Sequence, residues 1–299
     1  MTPTLGIMAS QISGHLTPIL GTTWVAGGNM PSSADWTGTA YGNSIFYAGI
    51  NATGTAGASS PTGATWTSRS NPSTNLSATR FANGIFMGFG YPNIITTSSN
   101  GTSWSLATAS GITNPVGATY GLSAFVASEN GSTSAASSVN NGSTWTARTT
   151  STIVQKLAGS SSRIVGIPNG TSSTATTNLT TWTTGTMPSS SNWYDVIAGN
   201  GIFVAVSVTS GTKAAYSSDG LSWTASTLPA TGTWNCVLWA GANFAAFCNT
   251  GTTSATSLDG ITWTSRTITN KWWFSGAVAP DRIVMVAYDA SNVSTISTS

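Results

Sequence analysis

Short apolar runs recur along the chain, separated by polar and glycine-rich turns, and nothing has the length and 3.6-residue period of a helix. The segment 193–228 shows the unit most fully. Residues 193–198 read as a first strand, Gly199-Asn200-Gly201 as a turn, and 202–206 as a second strand that is apolar at every position. Residues 213–217 read as a third strand, and 222–225 as a fourth after a tight turn at Asp219-Gly220. Continuous apolarity, in place of alternation, predicts a second strand covered on both faces. The same landmark recurs near Phe46, Phe86, Phe125, Val165, Phe203, Phe244 and Val284, often introduced by Asn-Gly.

A tryptophan after a short turn has the same count: Trp24, Trp66, Trp104, Trp145, Trp182, Trp223 and Trp263, at spacings of 42, 38, 41, 37, 41 and 40 residues. Four short antiparallel strands per unit of about 40 residues describe a β-propeller blade. The first Trp precedes the first apolar landmark and the last landmark follows the last Trp, so one unit is split between the two ends of the chain. An all-β, seven-bladed β-propeller of four-stranded antiparallel blades is therefore expected, its ring closed by the N-terminal strand near Trp24. The expected organisation is a leader over 1–20 and a propeller over 21–299.

Composition narrows the function. Only 5% of the 299 residues are charged and the net charge is +2, with six Arg and three Lys scattered singly. No basic stripe for nucleic acid exists. No apolar run is long enough for a transmembrane helix, and the first residues lack the basic start of a secretory signal. Cys236 and Cys248 fall on two runs about a turn near Gly241. As cross-strand neighbours they would permit a disulfide only at a non-hydrogen-bonded pair; two buried thiols are the expectation. His15 is the only histidine, and neither a metal site nor a cofactor is expected.

The turns before the repeated tryptophans carry the most specific motif. Ser217-Ser218-Asp219-Gly220-Leu221-Ser222-Trp223 and Ser257-Leu258-Asp259-Gly260-Ile261-Thr262-Trp263 resemble the Asp-box, or BNR, repeat of sialidases and other Asp-box propellers. Asn100, Gly101 and Trp104 keep the pattern with Asn for Asp, and the remaining copies are weaker. Asp or Asn can accept N–H bonds within its own turn, Gly supplies positive φ and Trp covers the blade. Asn100, Asn141 and Asn178 can do the same without charge, so the box reads as a fold staple.

The resemblance implies that an enzyme of this family would use an arginine cluster, a Tyr–Glu pair and an acid on the opposite face. Here Glu129 is the only glutamate, and Arg69, Arg148 and Arg266 sit at corresponding positions after the box Trp, which reads as structural. Retaining hydrolysis usually needs two suitably spaced carboxyl groups; Asp35 with Asp195 is the remaining candidate pair. No catalytic residue is assigned, and a non-enzyme is expected.

A second, irregular set of tryptophans suggests binding. Trp36, Trp193 and Trp234 each follow a proline by five residues at the entry to a blade, and Trp272 and Trp273 occupy the matching place in the last blade. Their faces could stack on sugar rings on the rim opposite the boxes; the alternative is that they plug the spaces between blades. The opening segment 2–14 resembles the start of many tailed-phage virion and tail or fibre proteins. The expectation is thus a non-enzymatic bacteriophage virion structural protein, in a tail, fibre or surface appendage, made in the host cytoplasm. It would be present in several copies, contact other virion proteins through residues 1–20, and bind host-surface glycan through the five tryptophans, without nucleic-acid binding or membrane insertion. The alternatives are a capsid or neck decoration protein, an Asp-box glycoside hydrolase, and a cellular lectin-like propeller.

Overall fold

The computed structural model describes residues 19–51, 56–72, 75–107, 110–249, 251–288 and 293–298. Blades 1 to 6 cover 36–70, 76–106, 115–149, 156–184, 191–232 and 234–267, each with four sequential antiparallel strands running outward from a central channel. Blade 7 takes Trp273–Ala279, Arg282–Ala287 and Val293–Thr298 from one end of the chain, and its outer strand, Val25–Asn29, from the other. Val25 pairs with Ile296, Ala26 with Thr295 and Asn29 with Val293, so the expected closure is the observed one. Second strands such as Ile202–Ser207 and Ile283–Ala287 of blade 7 are buried along nearly their whole length, because sheets pack against both of their faces.

The seventh turn is also divided between the ends. In blades 2, 3, 5 and 6 a turn N–H is held by the hydroxyl that ends the third strand: Gly101 by Ser98, Gly142 by Ser138, Gly220 by Ser217 and Gly260 by Ser257, each at 2.8 Å. In blade 7 the pair is Gly21 N–H and Ser297 Oγ, also 2.8 Å apart. Just before it, Leu20 is fully buried. The Asn243 side chain accepts from its N–H at 3.0 Å and donates to its carbonyl at 2.9 Å. The propeller body thus includes Leu20, two positions from the leader's 18 residues outside the described set.

The box acids act as turn acceptors. Asp219 Oδ1 accepts from Leu221 and Ser222 N–H at 2.8 and 2.9 Å, and Asp259 Oδ1 from Ile261 and Thr262 at 2.9 and 2.8 Å. Partial burial opposes the carboxylate, but these backbone donors outweigh it and hold both carboxyls below their ordinary value. Asn100 makes the same two bonds to Thr102 and Ser103, at 2.9 Å each, without a charge. In blade 3 the acceptor is Asn140, bonded to Thr144 N–H at 2.9 Å. The expectation for Asn141 is corrected: this turn has one more residue, and Asn141 instead sits at φ 57° and accepts from Asn83 of the neighbouring hairpin. Trp223 and Trp263 are buried over their turns, and the Trp104 ring lies 4.2 Å from that of Tyr47.

The box glycine makes the inter-blade contact. A Cβ on Gly220 would fall 2.3 Å from Val165 Cγ2, and one on Gly260 2.6 Å from Val204 Cγ2, both on the second strand of the preceding blade. Gly63, Gly101 and Gly142 meet Val284, Ile45 and Met87 in the same way. The corresponding arginines are structural as expected: the Nε of Arg69, Arg148 and Arg266 donates to Ser59, Ser137 and Thr256 on the third strand.

Gly220→Ala is expected to cost about 2 kcal/mol or more, combining positive φ with collision against Val165. Gly201→Ala, at φ 77° but with open space beside it, should cost about 1 kcal/mol. Denaturant unfolding of the two variants measures the difference, and equal costs would remove the packing role of the box glycine.

Candidate functional site: the central channel and its aromatic mouth

The five tryptophans assigned to ligand contact divide sharply. Trp36, Trp193, Trp234 and Trp273 are only 0%, 1%, 0% and 1% exposed, whereas Trp272 is 39% exposed. The first four are corrected to inter-blade packing. Trp193 lies with Val165 and Ile167 of blade 4, Trp234 with Val204 and Val206 of blade 5, and Trp36 with Val284 of blade 7. The indole N–H groups of Trp193, Trp234 and Trp273 each donate to the carbonyl four residues earlier, at 3.1, 3.2 and 2.7 Å. A buried indole so held presents no face to a sugar.

A β-bulge decides this orientation. In blades 1, 5, 6 and 7 the register to the second strand slips directly after the Trp, as where Trp193 pairs with Ser207 but Asp195 with Val206. The Trp turns toward the preceding blade, and the next residue, Thr37, Tyr194, Asn235 or Phe274, lines the channel. The bulge also separates the cysteines: Cys248 lies opposite Trp234 and Cys236 opposite Phe247, and both thiols are free and buried.

The channel has a volume of about 360 Å³ and takes wall residues from the first strands of all seven blades. At its mouth opposite the box turns, rings form a continuous path. Trp272 meets Tyr288 at 5.1 Å, Tyr288 meets Phe274 at 4.8 Å, and Phe274 meets Tyr194 at 6.3 Å between centroids. Lys156 Nζ then lies 5.8 Å from the Tyr194 ring centroid, within reach of a cation–π contact.

Beyond the rings lie the channel's charges. Lys156 Nζ donates to Val116 O at 3.0 Å, Arg80 Nη1 to Thr79 O at 2.9 Å, and Asp195 Oδ2 accepts from Val237 N–H at 2.8 Å. None of the three forms a contact ion pair with another. Each shows part of its surface to the channel yet lies deep within the ring. Desolvation there pushes Asp195 up and Lys156 and Arg80 down, and the attraction between the carboxylate and the two cations opposes it. Burial, reinforced by the Asp195 charge, pushes the Tyr194 phenol up to about 12. Among the described residues no three His, Cys, Asp or Glu side chains gather as metal ligands.

Sequence reasoning missed Arg80, Lys156, Tyr194, Phe274 and Tyr288. The signal available was the residue following each entry tryptophan, since neighbours on a strand face opposite ways.

No protein-family model and no curated protein sequence matches the chain. Its fold is shared with solved propellers. A selenomethionine-substituted virginiamycin B lyase from Staphylococcus aureus superposes at TM-score 0.80 with 11% identity, covering 93% of this chain and 99% of that one. YCF48 bound to D1 peptide gives 0.73 with 16% identity over 95% and 98%. The Pan2 WD40 domain of Neurospora crassa gives 0.67 with 11% identity over 92% and 95%. At these identities the likeness is one of fold alone.

Trp36→Ala and Trp234→Ala should each destabilise the propeller by about 3–5 kcal/mol, and Trp272→Ala by no more than about 0.5 kcal/mol. Thermal and denaturant unfolding would read this, and a neutral Trp234→Ala would return that indole to the surface. Burial raises both thiols, Cys248 to about 12. Ellman's reagent at pH 8 should therefore find no fast thiol in the folded protein and two after unfolding.

Proposed function

We propose that this chain is a non-enzymatic Asp-box propeller of a bacteriophage virion, displayed in a tail, fibre or surface appendage, that binds host-surface glycan at the channel mouth. One observation carries the binding role: the ring path Trp272, Tyr288, Phe274 and Tyr194, which begins exposed and ends beside polar and charged groups. Ring faces with a few polar partners suit saccharides, which offer apolar C–H faces and hydroxyl edges, and exposed apolar surface marks interaction sites. Trp272 retains its assigned contact role, and the other four entry tryptophans hold the wall behind it.

The Asp-box assignment is supported by two complete boxes whose Asp oxygens accept paired N–H groups, and by the Asn version in blade 2. A virion location rests on the resemblance of segment 2–14, with residues 1–20 as the proposed attachment to other virion proteins. A binding role, in preference to hydrolysis, is supported by how the carboxylates are used. Asp219 and Asp259 hold turns, Glu129 accepts from Thr113 and Asn114 N–H, and Asp281 grips Arg282. Asp195 is the carboxylate that lines the channel, flanked by cations, where retaining hydrolysis would call for two carboxyls about 5 Å apart.

Mass spectrometry of purified virions should find the chain, and its absence from particles would remove the virion assignment. On a glycan array the wild-type chain should retain bacterial-surface saccharides, with Trp272→Ala or Tyr288→Ala weakening retention roughly tenfold at unchanged stability. A chain found in virions that retains no glycan would be a decoration protein contacting other subunits.

A further inference from the structure

The channel holds more positive charge than its own residues neutralise. Arg80 and Lys156 contribute two positive charges and Asp195 one negative, which leaves an excess of one. Charges withdrawn from water are ordinarily paired. Here neither cation has a carboxylate in contact, and each has a single backbone carbonyl. Arg80 has five N–H donors and Lys156 three, so most of this donor capacity is unspent. Moreover, Arg80 bonds only the carbonyl of its own neighbour Thr79 and ties no blade to another. Its charge is not accounted for by the architecture.

We propose that the glycan taken at this mouth is acidic, and that its carboxylate is held in the channel between Arg80 and Lys156. This inference rests on the glycan reading above and names the class of saccharide. A guanidinium receives a planar carboxylate through two parallel N–H groups, while an ammonium supplies a compact second charge. The Lys156 ammonium already lies against the Tyr194 ring, so a sugar ring stacked at the mouth brings its carboxylate to the cations without crossing open solvent. Asp195 sets the selectivity: it repels the incoming anion, limits the site to a singly charged group, and keeps the cations from attracting any passing polyanion. A channel of about 360 Å³ admits one terminal acidic sugar and excludes a branched chain.

Calorimetric titration of the full chain with trigalacturonic acid, with its methyl ester and with inorganic phosphate tests the assignment. The acid should bind, and the ester should bind roughly tenfold more weakly or worse. Arg80→Gln and Lys156→Met should each weaken the acid by a similar factor, and added salt should weaken it further. Asp195→Asn, which keeps an oxygen for the Val237 N–H, should tighten it several-fold. Arg80→Gln is the decisive variant, because Lys156 also joins blades and its loss could unfold the ring; circular dichroism checks each variant.

Equal binding of acid and ester, with both cation variants silent, overturns the acidic class and leaves the glycan reading intact. Phosphate binding as tightly as the acid marks a general anion site and overturns the saccharide assignment. If the trisaccharides and the neutral glycans of the array are all ignored, both readings fall together.

Discussion

The innermost strand of each blade has an unpaired edge, and the ring depends on how those edges are satisfied. In a flat sheet another strand would cover the exposed N–H and C=O groups; around a channel there is no room for one. Each junction therefore has its own polar link. Thr37 donates to Leu76 O, Ser77 to Pro115 O, Lys156 to Val116 O and Asn235 to Trp273 O. Asp195 accepts from Val237 N–H, and the Thr39 and Ser275 hydroxyls meet between blades 1 and 7. Between blades 4 and 5 the backbone itself answers, where Asn169 and Gly170 pair with Asn192 and Ser191 as a fifth strand. Seven junctions are thus linked near the axis, while the box glycines seat each outer turn on the preceding blade.

This constraint explains why the channel is polar while the space between blades is dry. The bulge at the entry of the first strand divides two duties between adjacent residues. One side chain, often Trp, fills the gap to the preceding blade; the next, freed by the bulge, reaches the lumen. A residue type that suits the first duty cannot perform the second, because a buried indole with its N–H bonded four residues back has no free face. The chemistry of the channel consequently falls to residues that also hold the ring together, such as Lys156, Asp195 and Asn235.

Much of the architecture was legible because it repeats. Seven box tryptophans and seven apolar second strands give the blade count, and their order along the chain requires Val25–Asn29 to close blade 7. The box chemistry was legible for the same reason, with Asp219, Asp259 and Asn100 making equivalent bonds. What could not be read is what does not repeat. Thr37, Ser77, Lys156 and Asn235 solve the edge problem with four different side chains, so no period marks them. The bulge defeats simple alternation: it moved Cys248 opposite Trp234 instead of Cys236, and it made the visible Trp the packing residue and its inconspicuous neighbour the lining one. One extra residue in the blade 3 turn transferred the acceptor role from Asn141 to Asn140. The Leu20 lock likewise joins residues 223 positions apart through Asn243, a pairing that no local pattern announces.

Arg80 is the residue that separates architecture from function in this channel. Lys156 and Asp195 lie in the same low-dielectric interior, but each returns an inter-blade bond for its burial. Arg80 shares the desolvation and returns only a contact with Thr79 O, one residue away. A neutral side chain at this position would spare the ring that cost and break no junction. Its guanidinium therefore finds its physical reason in something the channel receives, and the channel, fixed by seven stitched junctions, can receive it with little reorganisation.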